Sequence, residues 1–170
     1  MEIFEVIKYC VPALIVFATV YYLFDSFLKN QIKLKSLELQ ALSKDSIIVA
    51  KMQAYERLML YCERINPYQM KLRLELPDMT GKQLAARMII AIMQEYEHNV
   101  SQQLYVSPTL WKILLTVKDQ TIDVITQSSQ SLLLTDTMDQ LMSKIDQAIF
   151  KIGALPTENG KQAIKREAGL

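Results

Sequence analysis

Glu95 and His98 form the one arrangement in the sequence with the spacing of metal ligands. On a helix, residues three apart project from one face, as in the Glu-x-x-His motifs of di-iron helical bundles. Such a site needs a second Glu-x-x-His motif and two further carboxylates, but His98 is the only histidine in the chain. Two interpretations follow: a site shared by two chains and completed by Glu56 or Glu63, or boundary residues that bond to a neighbouring helix. We favour the second, because polar groups at the edge of a core are usually hydrogen-bonded.

Cys62 is the next candidate for chemistry, as a nucleophile. No histidine lies near it in the sequence, and a free cysteine in an apolar-rich helix usually packs as a small hydrophobic residue. The chain also lacks a Gly-rich phosphate loop, a Cys-x-x-Cys pair and a Gly-x-Ser-x-Gly motif. We therefore predict a protein that is not an enzyme, with no catalytic residue, metal ligand, cofactor-binding residue or cofactor.

Charged residues repeat along the segment that contains Cys62. The pairs Glu56-Arg57 and Glu63-Arg64 stand seven residues apart, so on a helix they occupy the same faces. One interpretation is a docking stripe for another protein. We favour an ion-pair face, either solvated or within a bundle, because exposed pairs contribute little energy and are common.

The composition of the chain excludes several functional classes. Its 170 residues include 19 Lys and Arg against 18 Asp and Glu, and the net charge of +1 gives no basic excess for binding nucleic acid. A hydrophobic fraction of 51% is too high for a disordered chain, and only 4 Gly and 5 Pro argue against an all-β fold. The mean hydropathy of +0.11 is high for a chain with 22% charged residues, so one segment must be far more apolar than the rest.

That apolar segment lies at the N-terminus, where residues 9–24 carry no charge. Residues 6–28 supply the roughly 20 mostly apolar positions that a helix needs to cross a bilayer. Tyr9 at one end, and Tyr21 and Tyr22 at the other, match the aromatic belts of a membrane span. The chain opens with MEIFE instead of a basic region, so we expect an uncleaved transmembrane helix within residues 1–28. The alternative is a buried core helix.

Lysines predict the orientation of this span. Lys29, Lys33 and Lys35 follow it, whereas only Lys8 lies on the other side, beside two glutamates. Because positive residues stay on the cytoplasmic side, we expect an inner-membrane protein with its N-terminus outside and its C-terminal domain in the cytoplasm. The lipid bilayer is then its first partner.

The remainder of the chain predicts helices, and the fold class is all-α. Residues 26–65 contain neither Gly nor Pro, so a juxtamembrane stalk (29–44) either continues as one helix to residue 65 or gives way to a new helix capped at Ser43-Lys44-Asp45. Residues 68–77 alternate apolar and charged side chains, and we expect an extended, half-buried connection there, with room for one short helical turn.

Helix-capping signals divide the rest of the chain. Thr80-x-x-Gln83 opens a helix to about Leu104, Ser107-Pro108 opens the next, and Thr135-Asp136 opens the last, which ends at Gly153. These helices predict a cytoplasmic bundle over residues 45–152 and a flexible tail over residues 153–170. The expected inward faces are Ala85, Ile89, Ile92, Met93, Tyr96 and Val100; Leu110, Leu114, Val117, Thr121, Val124 and Ser128; and Met138, Leu141, Met142, Ile145, Ile149 and Ile152.

Two segments carry a family resemblance. Residues 53–67 (QAYERLMLYCERINP) and 95–107 (EYEHNVSQQLYVS) resemble those of uncharacterised, membrane-anchored proteins of Bacteroidota, which share one N-terminal span and a helical remainder. The resemblance extends from the span to about Ile152. It implies an inner-membrane location and no known activity.

The function expected from these features is that of a membrane-anchored, non-enzymatic adaptor or accessory subunit. It would bind another protein at the cytoplasmic face of the membrane, or a second copy of itself, and no nucleic acid. One alternative is a self-associating stalk or scaffold, similar in layout to the peripheral stalk subunit of rotary ATP synthases. A second alternative is a metal-dependent enzyme that uses Glu95 and His98.

Overall fold

The computed structural model describes the backbone of residues 2–170 and the side chains of residues 14–36 and 47–170. The regular elements of this part of the chain are helices, and one isolated bridge, between Thr80 and Thr137, accompanies them. The all-α prediction is therefore confirmed. The elements are α1 (Glu2–Arg64), α2 (Pro67–Leu74), α3 (Gly81–Asn99), a 3-10 turn (Val100–Leu104), α4 (Pro108–Gln130), α5 (Met138–Ile152) and α6 (Pro156–Ala168).

Two compact units divide the chain, Met1–Ile48 and Val49–Leu170. We call the first the N-terminal segment and the second the helical unit. Helix α1 is assigned over Glu2–Arg64, a range that includes the alternative helix start at residues 43–45. The side chains of residues 43–45 lie outside the described residues.

Apolar side chains of the N-terminal segment are exposed along α1. Between Leu14 and Leu34 the large apolar side chains are 44–73% exposed. Over the residues that the structure describes, no helix combines the length and the apolar character that crossing a bilayer requires. The predicted span covers residues 6–28, and the side chains of residues 6–13 lie outside the described ones.

The core of the helical unit lies between α1, α2, α3, α4, α5 and α6. The predicted inward face of α4 is confirmed, because all six of its residues are buried. Two of them are polar, and each donates its hydroxyl hydrogen bond to a carbonyl of its own helix: Thr121 to Val117 and Ser128 to Val124, both at 2.7 Å. These hydroxyls are therefore buried without an unsatisfied donor.

Two capping boxes begin α3 and α5 side by side. Thr80 and Gln83 form the predicted box of α3. The box of α5 uses Thr137 and Gln140, because the predicted cap residue Asp136 instead accepts a hydrogen bond from the Leu133 amide at 2.8 Å. The two helix starts touch at Gly81, whose amide donates to the Asp136 carbonyl at 2.8 Å.

Residues 67–74 form helix α2, so the prediction of an extended connection is wrong there. Asn66 caps the helix by accepting from the Tyr68 amide, and Pro67 occupies the first turn, where its missing amide costs nothing. The alternating apolar residues do not share a face, because Met70 is fully buried whereas Leu72 is 70% exposed. Tyr68 and Lys71 tie α2 to α5 by bonds to Asp146 and Asp139.

Three residues of the predicted inward faces point away from the core. Met93 and Val100 are exposed, because the buried side of α3 consists of Leu84, Ala85, Met88 and Ile92. Ile152 is also exposed, because α5 ends there and Gly153 turns the chain away with a positive φ of 87°.

The predicted flexible tail forms helix α6 instead. This helix begins with Pro156 in its first turn and packs along α4, with Thr157, Gly160 and Ile164 buried. A Cβ on Gly160 would lie 3.0 Å from Cys62 Sγ on α1 and 3.4 Å from a methyl carbon of Val117 on α4. The glycine therefore lets the α6 backbone approach both helices closely, and a segment with few apolar residues still closes the core.

We predict that Gly160→Leu weakens the docking of α6. The added side chain meets Cys62 and Val117, and overpacking of this kind costs about 1–3 kcal/mol of the free energy of unfolding. Asn159→Leu is the matched control, because residue 159 is exposed on the same helix. Urea unfolding followed by circular dichroism, with hydrogen exchange of the α6 amides, measures the effect. Equal stability of the two variants would contradict the close approach.

Candidate functional site

A groove of the helical unit encloses about 760 Å³. It lies between α1, the loop after the 3-10 turn, the start of α4 and the last turns of α6. We call it the Tyr105 groove. Lys51 and Tyr55 line it from α1, Leu104 and Tyr105 from the end of the turn and the loop after it, and Arg166 and Glu167 from α6.

Glu167 joins three elements at one wall of the Tyr105 groove. Its Oε1 accepts from the Ser107 amide at 2.8 Å and from the Tyr55 hydroxyl at 3.3 Å. Its Oε2 accepts from the Ser107 hydroxyl. Both carboxylate oxygens of Glu167 therefore accept hydrogen bonds from groups within the chain.

The sequence explains why a carboxylate is stable at this position. Ser107 is the N-cap of α4, and its hydroxyl oxygen also accepts from the Leu110 amide at 3.1 Å. The N-terminus of a helix carries partial positive charge, which favours a nearby anion. Burial raises the pKa of Tyr55, and the Glu167 carboxylate raises it further.

Two cations of the Tyr105 groove have no carboxylate partner among the described side chains. Lys51 and Arg166 line the groove, and neither takes part in a salt bridge there. The acid between them, Glu167, is already bonded to Ser107 and Tyr55. The groove therefore offers positive charge to an outside group.

The rest of the groove is apolar. Val106, Ile113 and Ala163 lie on its lining, and Leu104 and Tyr105 rise at its edge with 79% and 41% of their surfaces exposed. Exposed apolar side chains at the rim of a concave surface are typical of a site that binds another molecule.

Glu95 and His98 lie at a different place, a small cavity of about 360 Å³ between α1 and α3. Both carboxylate oxygens of Glu95 accept from Arg64 Nη1, at 3.2 and 3.3 Å, and the Glu95 side chain is only 14% exposed. The expectation that Glu95 bonds to a neighbouring helix is therefore confirmed. His98 is exposed at the same corner. Its imidazole shares the cavity with the guanidinium groups of Arg57 and Arg64.

The carboxylates considered as further metal ligands do not join this cavity. Glu63 pairs with Lys161 of α6, and Glu56 lies in a cleft beside Leu104. Among the described side chains, no three His, Cys, Asp or Glu residues come together as metal ligands would. Within one chain, the described residues thus do not bring Glu56 or Glu63 into the cavity of Glu95 and His98.

The charged repeat on α1 forms ion pairs within the bundle at its second copy. Glu63 pairs with Lys161 of α6, and Arg64 pairs with Glu95 of α3. The Arg64 carbonyl also accepts from the Arg73 guanidinium at 3.0 Å. These contacts bear out the ion-pair face for Glu63-Arg64, whereas Glu56 and Arg57 stay exposed.

Cys62 lies in the core, with no exposed surface. Burial raises the pKa of its thiol to about 12, which disfavours the thiolate that nucleophilic catalysis requires. Its predicted behaviour as a small hydrophobic residue is confirmed by its place in the apolar cluster.

Sequence reasoning missed the Tyr105 groove. Its polar residues are separated by as many as 116 positions, and they meet only because α6 folds back along α4. A signal for α6 was present in Pro156, in the basic pair Lys165-Arg166 of the last turn and in Gly169 after it. These residues match the usual start and end of a helix.

A family of proteins matches residues 1–169, almost the whole chain. The chain belongs to this family of unknown function (DUF7935). Membership of an uncharacterised family is thus confirmed, and the description of the family speaks neither of membranes nor of Bacteroidota. No curated protein and no solved structure matches the chain.

We predict that the buried thiol makes the protein less stable at alkaline pH. An ordinary thiol ionises near pH 9, whereas Cys62 in the folded chain resists ionisation up to about pH 12. The unfolded chain therefore loses its thiol proton first, and stability falls as pH rises through 9, with a slope that approaches about 1.4 kcal/mol per pH unit well above that pH. Urea unfolding at pH 8, 9 and 10 should show a steeper decline between pH 9 and 10 than between pH 8 and 9.

Cys62→Ala is the control for this prediction. Its stability at pH 8 will be lower, because the thiol fills the core, but its decline between pH 9 and 10 should be smaller than that of the wild type. The tyrosines with raised pKa values begin to ionise in the unfolded chain near their ordinary value of 10, and they lower the stability of both proteins equally, so the difference between the two declines isolates the thiol. Identical slopes for the two proteins would contradict the prediction.

Proposed function

We propose that this protein is a membrane-anchored, non-enzymatic adaptor. The N-terminal part of α1 inserts into the bilayer, and the helical unit binds another protein at the cytoplasmic face. The exposed apolar surface of the N-terminal segment is the main support for the membrane anchor. The Tyr105 groove supports the docking role.

Exposure around the whole helix favours lipid as the environment of this segment. Leu14, Ile15, Val16 and Phe17 are consecutive and at least 62% exposed. Because successive helical residues point about 100° apart, these four side chains cover the full circumference. A helix that is apolar all round suits a bilayer, whereas a coiled-coil stalk needs only one apolar stripe. This difference favours the anchor over the self-associating stalk.

Lysines after the apolar stretch support the proposed orientation. Lys29, Lys33 and Lys35 are exposed, and Lys29 donates a hydrogen bond to Asp25 at 2.6 Å. Lysines at this position remain on the cytoplasmic side and gain energy from anionic headgroups. The helical unit is therefore proposed to lie in the cytoplasm, at an inner membrane.

The metal-dependent enzyme is the weaker proposal. The Arg64 guanidinium already holds Glu95, and a cation bound there would have to displace it. A binding role needs no such rearrangement, because the Tyr105 groove is already formed.

We predict that two arginines within the apolar stretch release the protein from membranes. Phe17→Arg combined with Val20→Arg places two charges in the span, at about 2.5–3.5 kcal/mol each near its centre. Ile32→Arg combined with Leu34→Arg is the matched control, because both residues are exposed on the same helix beyond the span. Fractionation with alkaline carbonate measures retention. Loss of both variants from the membrane, or of neither, would contradict the anchor.

We also predict that the C-terminus is cytoplasmic. A reporter enzyme that is active only in the periplasm should be silent when fused after Leu170, because Lys29, Lys33 and Lys35 hold that side of the span in the cytoplasm. A reporter that is active only in the cytoplasm, fused at the same residue, is the control and should be active. The opposite pattern would reverse the topology.

A further inference from the structure

We propose that the Tyr105 groove binds an acidic, amphipathic segment of another protein. This inference rests on the adaptor function proposed above and identifies the chemistry of the partner. Three observations support it: the groove has an apolar lining, its two cations are available, and Glu167 is already bonded within the chain.

The apolar lining calls for a ligand with an apolar face. Val106, Ile113 and Ala163 contribute hydrocarbon surface to a concavity of about 760 Å³, and Leu104 stands exposed at its edge. A helix in a groove places apolar side chains at intervals of three or four residues into such a surface. A concave lining fits a protruding segment better than the flat surface of a bilayer.

Charge selects an acidic partner. Lys51 and Arg166 present two positive charges to the groove, and neither is paired within the part of the chain that the structure describes. The one acid of the lining is Glu167, and both of its carboxylate oxygens already accept hydrogen bonds from Ser107 and Tyr55. A segment with Asp or Glu beside its apolar face satisfies both cations, whereas a basic segment meets repulsion.

Site-specific photo-crosslinking in cells tests this proposal with the full chain. A photoreactive amino acid replaces Leu104, which is 79% exposed at the groove, or Leu72, which is 70% exposed on α2 and serves as the control position. Mass spectrometry then identifies the crosslinked segment. We expect an acidic, amphipathic segment at position 104 and at least a tenfold lower yield of it at position 72.

Charge reversal gives the second arm of the test. Lys51→Glu combined with Arg166→Glu should lower the crosslinking yield at position 104 at least tenfold. Lys144→Glu combined with Lys151→Glu makes the same change of charge at the separate cleft between α4 and α5, and should leave the yield within twofold. Equal effects of the two pairs would overturn the proposal, because the groove cations would then have no special part in binding.

The identity of the crosslinked molecule separates this inference from the adaptor function. A basic or uncharged segment, a lipid or a second copy of this chain at position 104 overturns the acidic partner. A protein captured only at position 72 leaves the adaptor function standing and overturns the role of the groove. Crosslinks to no protein at any exposed position of the helical unit would overturn both.

Discussion

The close approach of α6 to α1 and α4 at Gly160 is the contact on which the rest of the helical unit depends. A Cβ there would lie 3.0 Å from the sulfur of Cys62, so the α6 backbone rests almost directly on side chains of the other two helices. Ile164, one turn further, then reaches the core. Because α6 is short and mostly polar, its place in the bundle depends on a few buried residues: Pro156, Thr157, Gly160 and Ile164.

The same contact also positions two charged residues of α6, Lys161 and Glu167. Lys161 follows Gly160 directly and bridges Glu63 of α1 and Glu158 of its own helix. Two turns after Gly160, Glu167 meets the start of α4 and accepts hydrogen bonds from Ser107. The helix dipole of α4 and the carboxylate of α6 thus stabilise one another at the wall of the Tyr105 groove. The groove exists only when α6 is docked.

The sequence predicted the features that depend on neighbours along the chain. The capping box at Thr80, the Ser107-Pro108 start and the buried face of α4 follow from local hydrogen bonding and a repeat of three to four residues. Prediction from the sequence failed where contacts between residues far apart in the chain determine the local structure. Residues 67–74 look extended by alternation and become helical because Asn66 and Pro67 start a helix, with Met70 in the core.

The candidate site was beyond sequence reasoning for the same reason. Lys51, Tyr105 and Arg166 belong to no motif, and only the packing of α6 brings them together. Glu95 was different, because its place beside an apolar stripe already suggested a partner on another helix, and Arg64 is that partner. Composition could describe residues 153–170 as polar, but it could not reveal that a glycine would compensate for the missing apolar surface.

The buried hydroxyls of Thr121 and Ser128 have a consequence for the alignment of the helices. Each bonds to a carbonyl of its own helix, so neither fixes α4 against a neighbour in the way that a polar bond across a core fixes register. Other contacts align the helices: Glu167 of α6 accepts hydrogen bonds from Ser107 at the start of α4, and the backbone approaches closely at Gly81, where a Cβ would lie 2.8 Å from the Thr137 carbonyl, and at Gly160. Because Gly81 and Gly160 have no side chains, the helices can meet closely at these two points. At Gly81 a single added methyl group would force the Thr137 backbone to shift, and at Gly160 it would require the Cys62 side chain to give way.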